Sequence, residues 1–148
     1  MHKIFYALSI LFLTSGILHA ESFPEQSLYS IEMSWTDESN QTVKLSQYAG
    51  KRAVMAMIYT TCSNACPLIM KKIRSIQDGV GEDFPIHYIL ITMDPEVDTV
   101  DKLALYKKAQ KVNKANWHFL RAPKNQTREF SQYMDISYKK MPDTGHFM

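Results

Sequence analysis

Ala53-Val54-Met55-Ala56-Met57-Ile58-Tyr59-Thr60-Thr61-Cys62-Ser63-Asn64-Ala65-Cys66-Pro67 is the stretch from which the fold can be read. Residues 53–59 form a near-continuous apolar run, which predicts a strand buried on both faces. Thr60-Thr61 leads out of it into the only two cysteines of the chain. Pro67 suits a first helical turn, where the N–H it lacks would have no partner anyway. Ile69, Ile73 and Ile76 then recur at helical spacing, with Lys71, Lys72 and Arg74 off the stripe. Cys62 and Cys66 continue the stripe backwards, so a helix that starts early, or a loop entering it, brings both sulfurs to one side. Gly79 and Gly81 are expected to end this helix.

The flanking segments repeat the rhythm. Upstream, residues 27–35 and 43–45 read as an extended opening region, with turn residues Asp37-Glu38-Ser39-Asn40 between its halves. Gly50-Lys51 marks the next turn. Downstream, residues 86–92 form a second buried-strand pattern, which Asp94-Pro95 breaks. Thr99 can cap a helix running through Leu103, Tyr106, Ala109 and Val112. Residues 117–120 read as a short third strand and residues 125–134 as a last short helix. Strand, helix, strand, helix, strand predicts an α/β fold with a parallel sheet covered by helices.

The whole chain has 148 residues, 45% hydrophobic and 22% charged, with a formal net charge of +2. This is the composition of one globular domain, and the charge is too small to point to nucleic acid as a partner. Met1-His2-Lys3 precedes an apolar run over residues 4–13, and His19-Ala20 stands before polar Glu21-Ser22. That order is the pattern of a secretory signal peptide, residues 1–20, leaving one domain over residues 21–148. The apolar run is about half of the roughly 20 residues a spanning helix needs. Export places the cysteines where a disulfide can form and persist.

Cys62 follows a buried strand and precedes a helix, whose N-terminus favours a thiolate. The thiolate is the nucleophile of redox chemistry and also a soft ligand suited to Cu(I). A disulfide over so short a loop would remove little entropy from the unfolded chain. Redox chemistry and metal binding therefore lead over a purely structural bridge, and the spacing does not divide those two.

Tyr59-Thr60-Thr61-Cys62-Ser63-Asn64-Ala65-Cys66-Pro67 resembles the signature of the Sco/SenC family, in which Tyr-Thr leads into Cys-x-x-x-Cys-Pro. Thr92-Met93-Asp94-Pro95-Glu96-Val97-Asp98-Thr99 is similar to its second block, Asp-Pro-x-x-Asp-Thr after a strand. Residues 45–51 and Trp117-His118-Phe119-Leu120 resemble two further elements. The resemblance implies a thioredoxin-like three-layer fold. It also implies one copper ion, Cu(I) or Cu(II), held by Cys62, Cys66 and a later histidine, with the two cysteines doubling as a disulfide-forming redox pair. Asp94 and Asp98 would shape the site from nearby. The implied task is assembly of the copper A centre of cytochrome c oxidase, on subunit II or another exported copper or thiol protein, in the periplasm or on the outer side of the inner membrane.

Two departures stand out. Ser63 replaces a proline that is frequent after the first cysteine. The family histidine follows a Tyr…Gly-x-Phe approach; Tyr138 and Gly145-His146-Phe147-Met148 match that approach, which puts the histidine one place beyond Met148, with His146 three places early. These features predict a fold lacking its C-terminal strands and helix, and an open sheet edge. They also keep alive two alternatives to the copper chaperone: a thiol–disulfide oxidoreductase that needs only Cys62 and Cys66, and an inactive truncated copy.

Elsewhere, His87 and His118 read as separate packed or edge histidines. The scattered methionines, Met55 and Met57 among them, read as core. Asn125-Gln126-Thr127 matches a glycosylation sequon, a short pattern that arises often by chance. Lys107, Lys108 and Lys111 read as a solvated helix face.

Overall fold

The computed structural model describes residues 27–81, 84–142, 144, 145 and 147. The expected signal segment lies outside them, as does His146. After a 3-10 turn at Leu28–Ser30, strand β1 (Ser34–Asp37) and strand β2 (Thr42–Lys44) form an antiparallel hairpin. Its turn holds Asn40 at φ 61°, a left-handed conformation that asparagine tolerates. A 3-10 turn at Leu45–Tyr48 leads into β3 (Arg52–Ile58), α1 (Ala65–Val80) and β4 (Ile86–Thr92). Then come α2 (Val100–Ala109), β5 (Trp117–Arg121) and α3 (Lys124–Tyr133).

The five strands lie in the order β2-β1-β5-β4-β3. Strands β3, β4 and β5 are parallel, as expected, while β1 runs antiparallel to β5. Two successive crossovers step in one direction across the sheet, so their common right-handedness puts α1 and α2 on one face. There Cys66, Met70 and Ile73 of α1 and Leu103 of α2 pack on Ile58, Tyr88, Leu90, Trp117 and Phe119. On the other face Phe130 of α3, Leu45 and Tyr48 cover Met57, Ile89, Ile91 and Leu120. Alternate residues of β4 feed the two cores, so the sheet is the middle of three layers. Thr99 caps α2 as expected, its hydroxyl accepting from the Lys102 amide at 3.3 Å.

Several expectations need correction. The open sheet edge that was expected falls at β3, which among the described residues pairs only with β4, but the burial expected on both of its faces is incomplete. Ala53, Val54, Met55 and Ala56 are only half-buried. An apolar run reports burial of two faces and says nothing of the strand's free side. Helix α1 continues through Gly79 and ends at Gly81, whose φ of 76° leaves the helical region. Helix α2 stops at Ala109, and Val112 reaches the core from the following loop, where Lys111 has φ 56°. Lys107 is not on a solvated face. Its side chain is 16% exposed, bonds Glu38 at 2.5 Å and donates to the Trp117 carbonyl at 2.7 Å. Ten residues on from Lys107, no helical periodicity links it to that carbonyl.

Candidate functional site at the cysteine loop

The site gathers at the C-terminal ends of β3 and β4, the end of an open α/β sheet where ligands usually bind. The Met93 amide donates to the Ile58 carbonyl at 2.7 Å, which extends the β3–β4 pairing to the edge of the loop. Beyond it, Thr60 is held by Asp98. The Thr60 amide and hydroxyl donate to its carboxylate at 3.0 and 2.5 Å, and the Thr92 hydroxyl donates at 2.5 Å. Asp98 is fully buried, so these donors offset the loss of water around its carboxylate. Its own amide donates to the Asp94 carbonyl at 2.8 Å, and Arg121 donates to the carbonyls of Asp98 and Pro95 at 3.1 and 2.9 Å. The two acidic residues singled out in the sequence thus brace the cysteine loop from behind.

Cys62 lies in the loop and Cys66 in the first turn of α1, and both are free thiols. Cys62 is half-buried, whereas Cys66 is 1% exposed. The Cys66 amide donates to Cys62 Sγ at 3.2 Å. The residue preceding the helix, Asn64, makes no side-chain cap, so the Cys62 sulfur takes up an amide that the helix itself leaves unpartnered. Partial burial alone would raise the Cys62 thiol. Hydrogen bonds from the Cys66 amide and thiol, the Tyr59 hydroxyl and the Asn64 amide outweigh it and hold the thiol at about 7. Burial pushes Cys66 up to about 12, assisted by the neighbouring Cys62 and Asp98 charges and opposed by the Tyr59 backbone. One sulfur is therefore a ready thiolate and the other a protonated reserve.

A tail crosses in front of the loop. The Phe147 amide donates to the Tyr59 hydroxyl at 3.4 Å, and their rings meet at 4.8 Å between centroids. Phe147 also packs on Tyr138 and bridges back to Lys140. Lys140 pairs with buried Asp94 at 2.6 Å. Sequence reasoning missed Tyr59, Lys140 and Phe147 as parts of the site. Tyr59 was readable as a strand end and as the first residue of the family signature, without a role of its own, and the Lys140–Asp94 pair spans 46 residues.

Among the described residues, no group of three or more His, Cys, Asp or Glu is placed to hold a metal ion. Two sulfurs, one on the loop and one on the first turn of α1, are a soft, incomplete donor set, suited to Cu(I) and able to release it.

No curated protein is significantly similar to the chain in sequence. Solved structures share the fold. ScoI of Bradyrhizobium japonicum with copper bound superposes with a TM-score of 0.66 at 22% identity, covering 78% of this chain and 73% of that one. A SCO1/SenC family lipoprotein of Bacillus anthracis gives 0.71 at 18%, covering 78% and 70%. BsSco, in which a disulfide switch was identified and which belongs to the Sco family of cytochrome c oxidase assembly proteins, gives 0.65 at 21%, covering 75% and 66%. These likenesses establish the thioredoxin-like Sco fold. The sequence model of SCO1/SenC matches residues 23–147, nearly the whole length, and the chain therefore belongs to the SCO1/SenC family.

Proposed function

We propose that this protein carries copper on Cys62 and Cys66 and passes it to an exported partner during assembly of cytochrome c oxidase. The observation that carries the reading is the sulfur pair at the start of α1, with the Cys66 amide aimed at Cys62 Sγ at 3.2 Å. A thiolate ready near pH 7 can take a soft ion without first meeting the full cost of deprotonation. Cys66 then gives up its proton as the ion binds, and the ion's charge offsets the burial that otherwise keeps that thiol neutral. The relative whose structure has copper bound supports this use of the fold. The expected partner is subunit II or a similar copper or thiol protein. The expected location is the periplasm or the outer side of the inner membrane, in keeping with the lipoprotein relative. Among the described residues no helix is long and apolar enough to cross a membrane.

The division between a low and a high thiol supports a second reading, reduction of a partner disulfide. Cys62 thiolate attacks one partner sulfur, and that disulfide breaks to give a mixed disulfide and one partner thiolate. Cys66 loses its proton and attacks Cys62 Sγ, releasing the second partner thiolate. The partner gains two electrons, and this chain ends with a Cys62–Cys66 disulfide. The relative with a disulfide switch supports the same chemistry.

Copper titration of the reduced protein tests the first reading. One tightly held Cu(I), lost in Cys62→Ser and in Cys66→Ser, is the expected result. No binding, with both thiols titratable and turnover of a disulfide substrate, would transfer the function to the second reading.

A further inference from the structure

The sheet face opposite the thiols carries a pair of histidines that the cysteine chemistry does not use. In the β4–β5 register Ile89 stands opposite His118, so His87, two residues earlier on β4, is its diagonal neighbour on the same face. The structure closes that diagonal: His87 Nδ1 and His118 Nε2 are 3.1 Å apart. The Tyr48 ring covers both, with centroids 5.3 Å from His87 and 4.8 Å from His118. Both rings are half-buried, and His87 also lines a cleft of about 290 Å³ with Gly50, Lys51, Arg52 and Pro85. The pair thus has a closed side under Tyr48 and an open side toward solvent.

We propose that His87 and His118 form a metal site of their own, for a borderline divalent ion such as Ni(II), Zn(II) or Cu(II). An ion about 2.0–2.1 Å from each nitrogen would see two donors 3.1 Å apart at about 100°, between the angles of square-planar and tetrahedral coordination. To aim both lone pairs at such an ion the rings must turn off the N–H···N line that now joins them, and water completes the coordination. Imidazole binds such borderline ions in preference to hard cations. Burial holds both histidines below the usual range, assisted by Lys51 at His87, and at His118 by His87 and Lys107 against Glu38 and Asp37. In a neutral pair one of the two facing nitrogens carries the N–H and the other the lone pair. The ring now donating the N–H shifts that proton to its other nitrogen, and both rings stay neutral. The surrounding charges are mixed: Lys107 is tied up by Glu38, Asp37 adds negative charge and Lys51 positive.

The test is Ni(II) titration of the full chain carrying Cys62→Ala and Cys66→Ala, so that thiols do not compete. One equivalent should bind, and the same chain with His87→Gln or His118→Gln should lose it. Binding that survives either change, or no binding at all, overturns the proposal. Where a glutamine variant fails to fold, Zn(II) titration of the Cys62→Ala, Cys66→Ala chain with both histidines intact, followed by imidazole ¹⁵N shifts, decides. Movement of the His87 and His118 signals supports the site, and movement confined to other histidines overturns it.

Discussion

The backbone amide of Cys66 points at the sulfur of Cys62 across 3.2 Å, so the helix that buries one cysteine also ionises the other. Chain order alone assigns the roles: the cysteine before the helix receives amides, and the one inside it supplies an amide and is buried.

The first prediction concerns reactivity. In the reduced protein, iodoacetamide should modify Cys62 with a pH midpoint near 7, against about 8.5 for a free cysteine. Cys66 should stay unmodified until the protein unfolds. Mass spectrometry of peptides after timed labelling reads both, and equal labelling of the two would contradict the assigned asymmetry.

Stability should follow pH with a change of sign. Unfolded, both thiols ionise near about 8.5. As pH rises from about 7 toward that value, the unfolded chain holds the Cys62 proton that the folded one has lost, so stability increases. Higher still, the unfolded chain loses the Cys66 proton while the folded one keeps it up to about 12, and stability falls. Urea midpoints of the reduced protein should therefore show a rise and then a fall that the double Cys→Ala variant lacks.

Asp98→Ala should destabilise the fold by roughly 3 kcal/mol, because it removes a charged acceptor and strands buried donors. Those donors are the Thr60 amide and hydroxyl and the Thr92 hydroxyl. Chemical denaturation measures the loss. Labelling of Cys62 should also lose its sharp midpoint, since Thr60 no longer fixes the loop. A variant as stable as the parent would show that Asp98 is not a brace.

Lys107→Ala should cost about 3–5 kcal/mol, the usual penalty for stranding one member of a buried ion pair. Glu38 accepts from both Lys107 and the Phe119 amide, and its carboxylate would remain buried beside β5. Replacing both partners, Glu38→Gln with Lys107→Met, should recover much of the loss in a double-mutant cycle of urea unfolding. Additive effects of the two changes would count against coupling.

The alternation of β3-α1-β4-α2-β5 was legible from apolar runs and helical spacing, and the Thr99 cap from local chemistry. The cysteine loop was legible as well, because Pro67 and the Ile stripe place a helix just after Cys62, though not whether Cys62 lies inside it or in the loop before it. Features resting on long-range contacts were not. Lys107 reads as a surface lysine until Glu38 is brought beside it, 69 residues away in sequence. His87 and His118 read as two single histidines until the β4–β5 register sets them on one diagonal. Tyr59 reads as core because its ring is core; nothing local shows that its hydroxyl also accepts from the Phe147 amide. Sheet order was hidden for the same reason, since residue pattern along β3 carries no record of how many neighbours it has.

Because β3, among the described residues, leans on β4 alone, the cysteine loop hangs from a beam clamped along one side. Any sideways play in that strand would carry into the loop that bears Cys62. The lever works in both directions. Anything seated along the free side of β3 would damp that play and stiffen the thiols without touching either sulfur.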